Sequence, residues 1–198
     1  MGKATREAYG NALARIGKEN TNIIVLDADL SKSTKTDTFK AVCPERFFNV
    51  GIAEQNLISV GAGLAAAGKI PFVSSFSMFA TGRAFEQIRN AVCYPKLNVK
   101  VCATHAGITV GEDGATHQSL EDISCMRTLP NMTVVVPADE RETEAVIEWA
   151  ASYNGPVYVR LGRAGVDDVT TEGYSFVPGK STTLVDGSDV TIIACGSL

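Results

Sequence analysis

Short apolar runs alternate with segments of helical periodicity along most of the chain. Residues 5–18 place Ala8, Leu13 and Ile16 at helical spacing, and the apolar run 23–26 follows before the polar loop 27–29. The same alternation continues to residue 161. The further predicted helices are 52–67, 82–92 and 140–153, and the further predicted strands are 70–75, 99–104, 132–136 and 157–161.

Most of the predicted strands are continuous apolar runs, without the alternation of polar and apolar positions found in half-exposed strands. A strand of this kind needs cover on both faces of its sheet, which is typical of α/β proteins with parallel strands. We therefore expect an α/β fold with an open, mainly parallel sheet and helices on both faces. Residues 1–165 are expected to form this domain.

The pattern changes after Gly162. Residues 166–188 contain neighbouring acids, threonines and turn residues with little helical periodicity, so we expect a linker. Residues 190–195 then form one more apolar run. We expect residues 189–198 to hold the first strand of a C-terminal domain that is truncated or disordered.

The composition excludes several classes of protein. Of the 198 residues, 45% are hydrophobic and 20% are charged, which is typical of a globular protein with a core. The net charge of -4 comes from scattered residues, so there is no basic stripe and we expect no nucleic-acid partner. The apolar runs are too short to cross a membrane, and the polar start lacks the hydrophobic region of a signal peptide. The expected location is the cytoplasm.

The cysteines and histidines give no sign of a metal site in this chain. The sequence has five cysteines without a CxxC pair, and their mostly apolar surroundings predict buried free thiols. The two histidines are too few for an ordinary structural zinc site.

One candidate for chemistry is Glu54, which follows a glycine turn and opens the helix predicted from residue 52. An acid at this position can simply complement the helix dipole. Phe76 and Phe79, at the end of the strand 70–75, can equally be core residues. All three would lie at the carboxyl ends of parallel strands, however, where open α/β sheets bind ligands. That coincidence favours a binding site.

The loop after the strand 99–104 is the strongest local signal. It begins at His105, contains three glycines and two acids, and ends at His117. Loops at strand ends are where function concentrates, and two imidazoles suit proton transfer near neutral pH. The alternative is a glycine-shaped turn with two surface histidines.

Nine short segments in the same order resemble the transketolase family, and the resemblance extends over residues 3–198. They are Ala4-Thr5-Arg6, Asp27-Ala28-Asp29-Leu30-Ser31-Lys32-Ser33, Gly51-Ile52-Ala53-Glu54, Ser75-Phe76, Ala103-Thr104-His105, Gly111-Glu112-Asp113-Gly114-Ala115-Thr116-His117-Gln118, Leu129-Pro130-Asn131, Pro137-Ala138-Asp139 and Arg160-Leu161-Gly162-Arg163. Each segment is weak alone, but nine in order over one domain are specific.

The resemblance implies a site for thiamine diphosphate. In the family, a glutamate at the position of Glu54 bonds N1' of the aminopyrimidine and promotes removal of the thiazolium C2 proton, which activates that carbon. Phe76 and Phe79 resemble the hydrophobic wall on which the pyrimidine stacks. Asp29 resembles an acid close to the cofactor.

The resemblance also implies a site for phosphosugars. Family members use residues at the positions of His105, Asp113 and His117 to bind sugar hydroxyls and move their protons. The residues that resemble the family's clamp for the substrate phosphate are Arg6, Ser33 and Arg163. Arg163 is chosen over Arg160 because its distance from Pro156 matches the family pattern.

The family's diphosphate and metal site has no counterpart here. Elsewhere in the family a GDG motif, followed after roughly 25 to 30 residues by an asparagine, holds the diphosphate and a divalent cation such as Mg²⁺. We therefore expect an N-terminal partner subunit that supplies this site, with the active centre between chains. The glycine- and alanine-rich helix 61–68 would allow close packing at such an interface, and self-association is also expected.

The expected reaction is transfer of a two-carbon ketol unit between phosphosugars of the pentose phosphate pathway. Gln55 replaces a histidine found in many transketolases and is closer to deoxyxylulose-phosphate synthases. His105 and the loop 111–114 favour transketolase. The alternatives are a synthase of that type, the β subunit of a 2-oxoacid dehydrogenase, and a scaffold without catalytic activity.

Overall fold

The computed structural model describes residues 2–197, and within them six parallel strands form one sheet in the order β2-β1-β3-β4-β6-β5. The strands are β1 (Ile23–Asp27), β2 (Phe47–Asn49), β3 (Ile70–Phe76), β4 (Lys100–Thr104), β5 (Thr133–Val135) and β6 (Val157–Arg160). The helices are α1 (Thr5–Glu19), α2 (Ser31–Thr34), α3 (Asp37–Val42), α4 (Glu54–Ala66), α5 (Phe85–Gln87), α6 (Asp122–Arg127) and α7 (Glu140–Ser152).

Apolar side chains fill a core on each face of the sheet. One core contains Leu57 and Ile58 of α4 together with Met126 of α6. The other contains Leu13 of α1 and Ile147 of α7, with α3 packed beside α1. The predicted α/β fold, with a parallel sheet covered on both faces, is confirmed.

The helix predicted over 82–92 has a different form in the structure. The short α5 lies between two π-helical turns, Phe79–Arg83 and Ile88–Cys93. A π-helical turn accommodates an extra residue and is often found at functional sites. Hydrophobic periodicity does not reveal it because the apolar face is nearly the same as that of an α-helix.

The elements that the sequence pattern did not predict are short. β2 spans three residues, and α2 and α3 are four and six residues long. Such segments are too short to produce a recognisable period. β2 is placed by pairing with β1, which is a non-local interaction.

The strand predicted at 190–195 is not formed. Ile192 and Ile193 are 84% and 89% exposed, and the segment is irregular. A strand needs a neighbour for its hydrogen bonds, and no strand of residues 2–197 is paired with this segment. Cys195 is therefore exposed, contrary to the prediction of a buried thiol, whereas Cys43, Cys93 and Cys102 are buried. The division into domains stays a prediction.

The part of the chain that the structure describes holds no helix that is both long and apolar enough to cross a bilayer.

Candidate cofactor and substrate site

The parallel sheet brings the carboxyl ends of its strands to one edge. Asp29 follows β1, Glu54 follows β2, Phe76 ends β3, His105 follows β4 and Arg163 follows β6. This is the edge at which open α/β sheets bind ligands. Residues far apart in the sequence therefore surround one region.

Glu54 is a buried carboxylate at the start of α4, with 2% of its surface exposed. The Ser75 hydroxyl donates to its Oε1 atom at 3.4 Å. The Arg83 guanidinium donates to Oε2, also at 3.4 Å, from a side chain that is 57% exposed. Both distances lie above the usual range for such bonds. The carboxylate can therefore accept a shorter hydrogen bond from a ligand.

An aromatic wall lies near this carboxylate, because Ser75 directly precedes Phe76 and the guanidinium of Arg83 lies 5.5 Å from the centroid of the Phe79 ring. Phe76 and Phe79 lie with ring centroids 6.0 Å apart and an interplanar angle of 18°. His105 stacks on Phe76 with centroids 3.9 Å apart. His117 presents its ring at a steep angle to Phe79 at 5.2 Å and to Phe76 at 6.1 Å. The structure thus brings the predicted aromatic residues and both histidines together.

His105 is held as a neutral imidazole. Burial, followed by the positive charges of Arg6 and Arg163, lowers its pKa to about 4. Its Nε2 atom lies 3.3 Å from Nη1 of Arg6, which can only donate, so Nε2 is the acceptor. Nδ1 then carries the proton and donates to the Thr104 hydroxyl at 2.8 Å. The backbone of His105 is left-handed, with φ of 58°.

Arg6 joins His105 to the loop after β1. Its Nη1 atom also donates to the carbonyl oxygen of Ser33 at 2.9 Å. Burial lowers the pKa of Arg6, but a guanidinium stays charged at neutral pH. The predicted clamp residues Arg6 and Ser33 are therefore neighbours, and they touch the histidine cluster.

The loop that carries Ser33 is organised by Asp27 at the end of β1. This buried carboxylate accepts hydrogen bonds from the amide of Leu30 at 2.5 Å and from the hydroxyls of Thr34 and Thr36 at 2.7 and 2.9 Å. Burial raises its pKa, while these donors oppose the rise. Asp27 thus has an internal structural role that fixes the position of Ser33.

Arg163 lies against the loop between the two histidines. It donates to the carbonyl oxygen of Val110 and, at 2.8 Å, to the carboxylate of Glu112. Asp113 lies 3.8 Å from the same guanidinium. Arg160, by contrast, forms an ion pair with the buried carboxylate of Asp122 at 2.8 Å. Arg163 is thus placed beside the predicted sugar loop, and its role in phosphate binding stays a prediction.

Asp29 lies on the exposed rim of this edge. Its carboxylate accepts a hydrogen bond from the Asn49 side chain at 2.7 Å, and Asn49 in turn accepts one from the amide of Gly51. Asp29 is therefore linked to the turn that leads into Glu54. These contacts do not test the prediction that Asp29 lies close to a cofactor.

Ser75, Arg83 and Thr104 are neighbours of the site to which the sequence analysis assigned no role, although Ser75 and Thr104 lie in two of the nine segments. Ser75 is a hydroxyl in a buried apolar strand, and that contrast could have marked it. Arg83 lies in the unexpected π-helical turn, so its direction toward Glu54 could not be read from helical spacing. Within residues 2–197, no three His, Cys, Asp or Glu side chains form a group that could hold a metal ion.

Comparison with known families shows the family to which the chain belongs. The profile of the transketolase pyrimidine-binding domain matches residues 1–167. The chain belongs to the transketolase family. That family consists of thiamine-diphosphate enzymes, in agreement with the resemblance seen in the nine sequence segments.

The similar proteins include separate transketolase subunits. A protein of Methanocaldococcus jannaschii named as a transketolase C-terminal section is 58% identical over 98% of this chain and 62% of its own length. One of the subunits of apulose-4-phosphate transketolase from Phocaeicola vulgatus is 39% identical over 98% of this chain and 62% of its own length.

A solved structure has the same fold over most of the chain. It is described as a split gene transketolase in the form of an inactive beta4 tetramer, with 60% identity and a TM-score of 0.86. The match covers 94% of this chain and 60% of the other. The transketolase chain described here thus spans about 60% of the length of these relatives.

Proposed function

We propose that this chain is the pyrimidine-binding part of a thiamine-diphosphate transketolase and acts together with an N-terminal subunit. The observation that carries the proposal is the buried carboxylate of Glu54, which lies near the aromatic wall at the carboxyl edge of the sheet. The proposed reaction transfers a two-carbon ketol unit between phosphosugars.

The residues at this edge fit the aminopyrimidine of the cofactor. Thiamine diphosphate, when bound, supplies a carbon nucleophile that the amino acids lack. Glu54 would accept a hydrogen bond from the protonated N1' atom, and its dry surroundings would strengthen that bond. Phe76 and Phe79 would receive the ring by stacking. Asp29 is proposed to lie near the cofactor on the exposed rim.

The histidines are proposed to handle the hydroxyl protons of the sugar. His105 is neutral at physiological pH, so it can exchange a proton with a hydroxyl without first losing one. His117 and Asp113 lie on the same loop and would complete the set. Arg6, Ser33 and Arg163 would bind the phosphate, for which guanidinium donors are well suited.

The need for a partner is supported by relatives that are named as subunits or sections. The partner is proposed to hold the diphosphate and the divalent cation, and the active centre would lie between the chains.

The role expected for helix 61–68 in close packing at an interface needs one correction. Gly61 faces the protein's own sheet, where a Cβ atom would lie 2.8 Å from Val73, whereas Gly63 faces outward with open space around it.

Reconstitution tests this function. The polypeptide that carries this chain is mixed with its N-terminal subunit, thiamine diphosphate and Mg²⁺, and supplied with xylulose 5-phosphate and ribose 5-phosphate. The expected product is sedoheptulose 7-phosphate. Formation of deoxyxylulose 5-phosphate from pyruvate and glyceraldehyde 3-phosphate instead would support the synthase alternative. Inactivity toward every sugar donor, with both cofactors bound, would support a scaffold.

A further inference from the structure

A chain of buried polar side chains lies beneath the histidine loop and connects it to the aromatic wall. The Ser77 hydroxyl lies 2.9 Å from the hydroxyl of Tyr158. Tyr158 donates to Oδ2 of Asp122 at 2.7 Å, and Arg160 donates to the same oxygen at 2.8 Å. Ser77, Tyr158 and Asp122 are completely buried.

The direction of each hydrogen bond follows from chemistry. Burial, and then the charge of Asp122, raises the pKa of Tyr158 well above its usual range, so this hydroxyl keeps its proton. Because the carboxylate only accepts, Tyr158 donates to Asp122, and Ser77 must then donate to Tyr158. These hydrogen bonds therefore have a single direction, from Ser77 through Tyr158 to Asp122, and Arg160 is the balancing cation.

The residues joined by these hydrogen bonds lie at three places around the candidate site. Ser77 lies between the two phenylalanines of the aromatic wall in the sequence. Asp122 is the first residue of α6, where the chain enters the helix after the loop that contains His117. Arg160 lies beneath Gly107 in the same loop, since a Cβ atom on Gly107 would come within 2.9 Å of its guanidinium.

His117 is held by the contacts of its ring with the two phenylalanines and by hydrogen bonds within the loop, where its amide donates to the carbonyl oxygen of Gly114 at 3.0 Å. The ring of His117 bonds the hydroxyl of its neighbour Thr116, which moves with the loop. The base of the loop is closed by the amide of Gly107, which donates to the carbonyl oxygen of Ser119 at 3.0 Å. Because the hydrogen bonds of His117 lie within the loop, its position relative to the phenylalanines also depends on how the base of the loop is fixed to the strands.

We propose that Ser77, Tyr158, Asp122 and Arg160 form a positioning network that sets the distance between His117 and the wall of Phe76 and Phe79. These residues act through the histidine and the aromatic rings and are not catalytic themselves. Their importance for ketol transfer rests on the proposed function, whereas their effect on the position of His117 does not.

Two tyrosines provide a matched test. Tyr158→Phe removes one hydroxyl from the network and retains the ring. Tyr9→Phe makes the same change at another completely buried tyrosine, whose hydroxyl lies 2.8 Å from that of Ser74 on the other face of the sheet. Tyr158→Phe loses the hydrogen bonds with Ser77 and Asp122, and Tyr9→Phe loses the one with Ser74, so a general loss of stability should appear in each.

The first measurement is the proton NMR spectrum of the histidine rings in the chain without its partner. The sequence has two histidines, and a His117→Asn variant assigns their signals. We expect Tyr158→Phe to shift or broaden the His117 signals, because the His117 ring lies within the ring-current field of both phenylalanines. We expect Tyr9→Phe to leave these signals unchanged.

The second measurement is steady-state kinetics after reconstitution. Tyr158→Phe should lower kcat/KM for the sugar donor about tenfold, which corresponds to about 1.4 kcal/mol, and Tyr9→Phe should retain it. Ser77→Ala removes the hydrogen bond between Ser77 and Tyr158 and is used in place of Tyr158→Phe if that variant does not fold.

Identical His117 signals in the wild type and the network variants would overturn the proposal, as would equal changes of these signals in Tyr9→Phe. If the wild-type mixture is inactive, the proposed function fails, and the histidine signals still decide the positioning.

Discussion

Individual residues of the site were visible in the sequence where their chemical type stands out from their surroundings. Glu54 is an acid after a glycine turn at the start of a predicted helix, His105 directly follows an apolar strand, and the structure buries both. The side chains that contact Glu54 and His105 could not be predicted from the sequence. The guanidinium of Arg83 reaches Glu54, and that of Arg6 reaches His105, across 29 and 99 residues of sequence. Contacts of this kind depend on the sheet order, which local patterns do not specify.

A prediction at this scale concerns the protonation of His105. Its ring signals should titrate with a midpoint near pH 4 and stay constant from pH 8 to pH 6, since the folded pKa is about 4. The expected pKa in the unfolded chain is about 6.5. Between these values the unfolded chain binds the extra proton, so the contribution of His105 to stability is lost as pH falls from about 6.5 to about 4. A midpoint near 6.5 in the NMR titration would contradict this account.

At the scale of elements, α4 shows how a helix is positioned to deliver a carboxylate. Its length and type follow from the sequence, although the structure begins it at Glu54 and not at residue 52. Its distance from the sheet is set by Gly61, which lies against Val73 of β3. The sequence contains Gly61 and Gly63 in the same helix, and only the packing distinguishes their roles.

The two glycines make a matched pair for measuring this packing. Gly61→Ala should destabilise the protein by about 1–3 kcal/mol, because the added methyl group requires α4 or Val73 to move. Gly63→Ala should be neutral or stabilising by up to about 1 kcal/mol, because alanine favours the helix and nothing lies within 4 Å of the new Cβ atom. Urea unfolding of both variants gives the comparison. Equal stability changes would show that Gly61 does not set the distance.

A second prediction at this scale concerns Asp139, the N-cap of α7. Its Oδ1 atom accepts from the amide of Glu142, and Oδ2 accepts from Val169 and from the amide and hydroxyl of Thr170. Burial raises its pKa, but these hydrogen bonds outweigh that effect and lower it. Asp139→Ala should cost about 2–4 kcal/mol in urea unfolding by removing both the cap and the anchor of residues 169–170. A loss below about 0.5 kcal/mol would show that neither matters.

At the scale of the whole molecule, the parallel sheet was predictable because most of the strands predicted from the sequence are largely apolar runs. The outcome for residues 190–195 shows the limit of the same reasoning. Their apolar sequence favours a strand, but a strand forms only where another can pair with it, and the segment is exposed in the described structure. The proposed function depends on a partner subunit as well, since the residues proposed to activate the cofactor would form one side of a centre between chains.

The most direct test of the account is Glu54→Gln in the reconstituted complex. The amide has the size of the carboxylate but lacks its charge, so the fold and calorimetric binding of thiamine diphosphate should be largely retained. We expect kcat for ketol transfer to fall by about 100-fold or more, as is usual when a group needed for proton transfer is lost. Turnover near that of the wild type, with the cofactor bound, would contradict the central claim that Glu54 activates the cofactor.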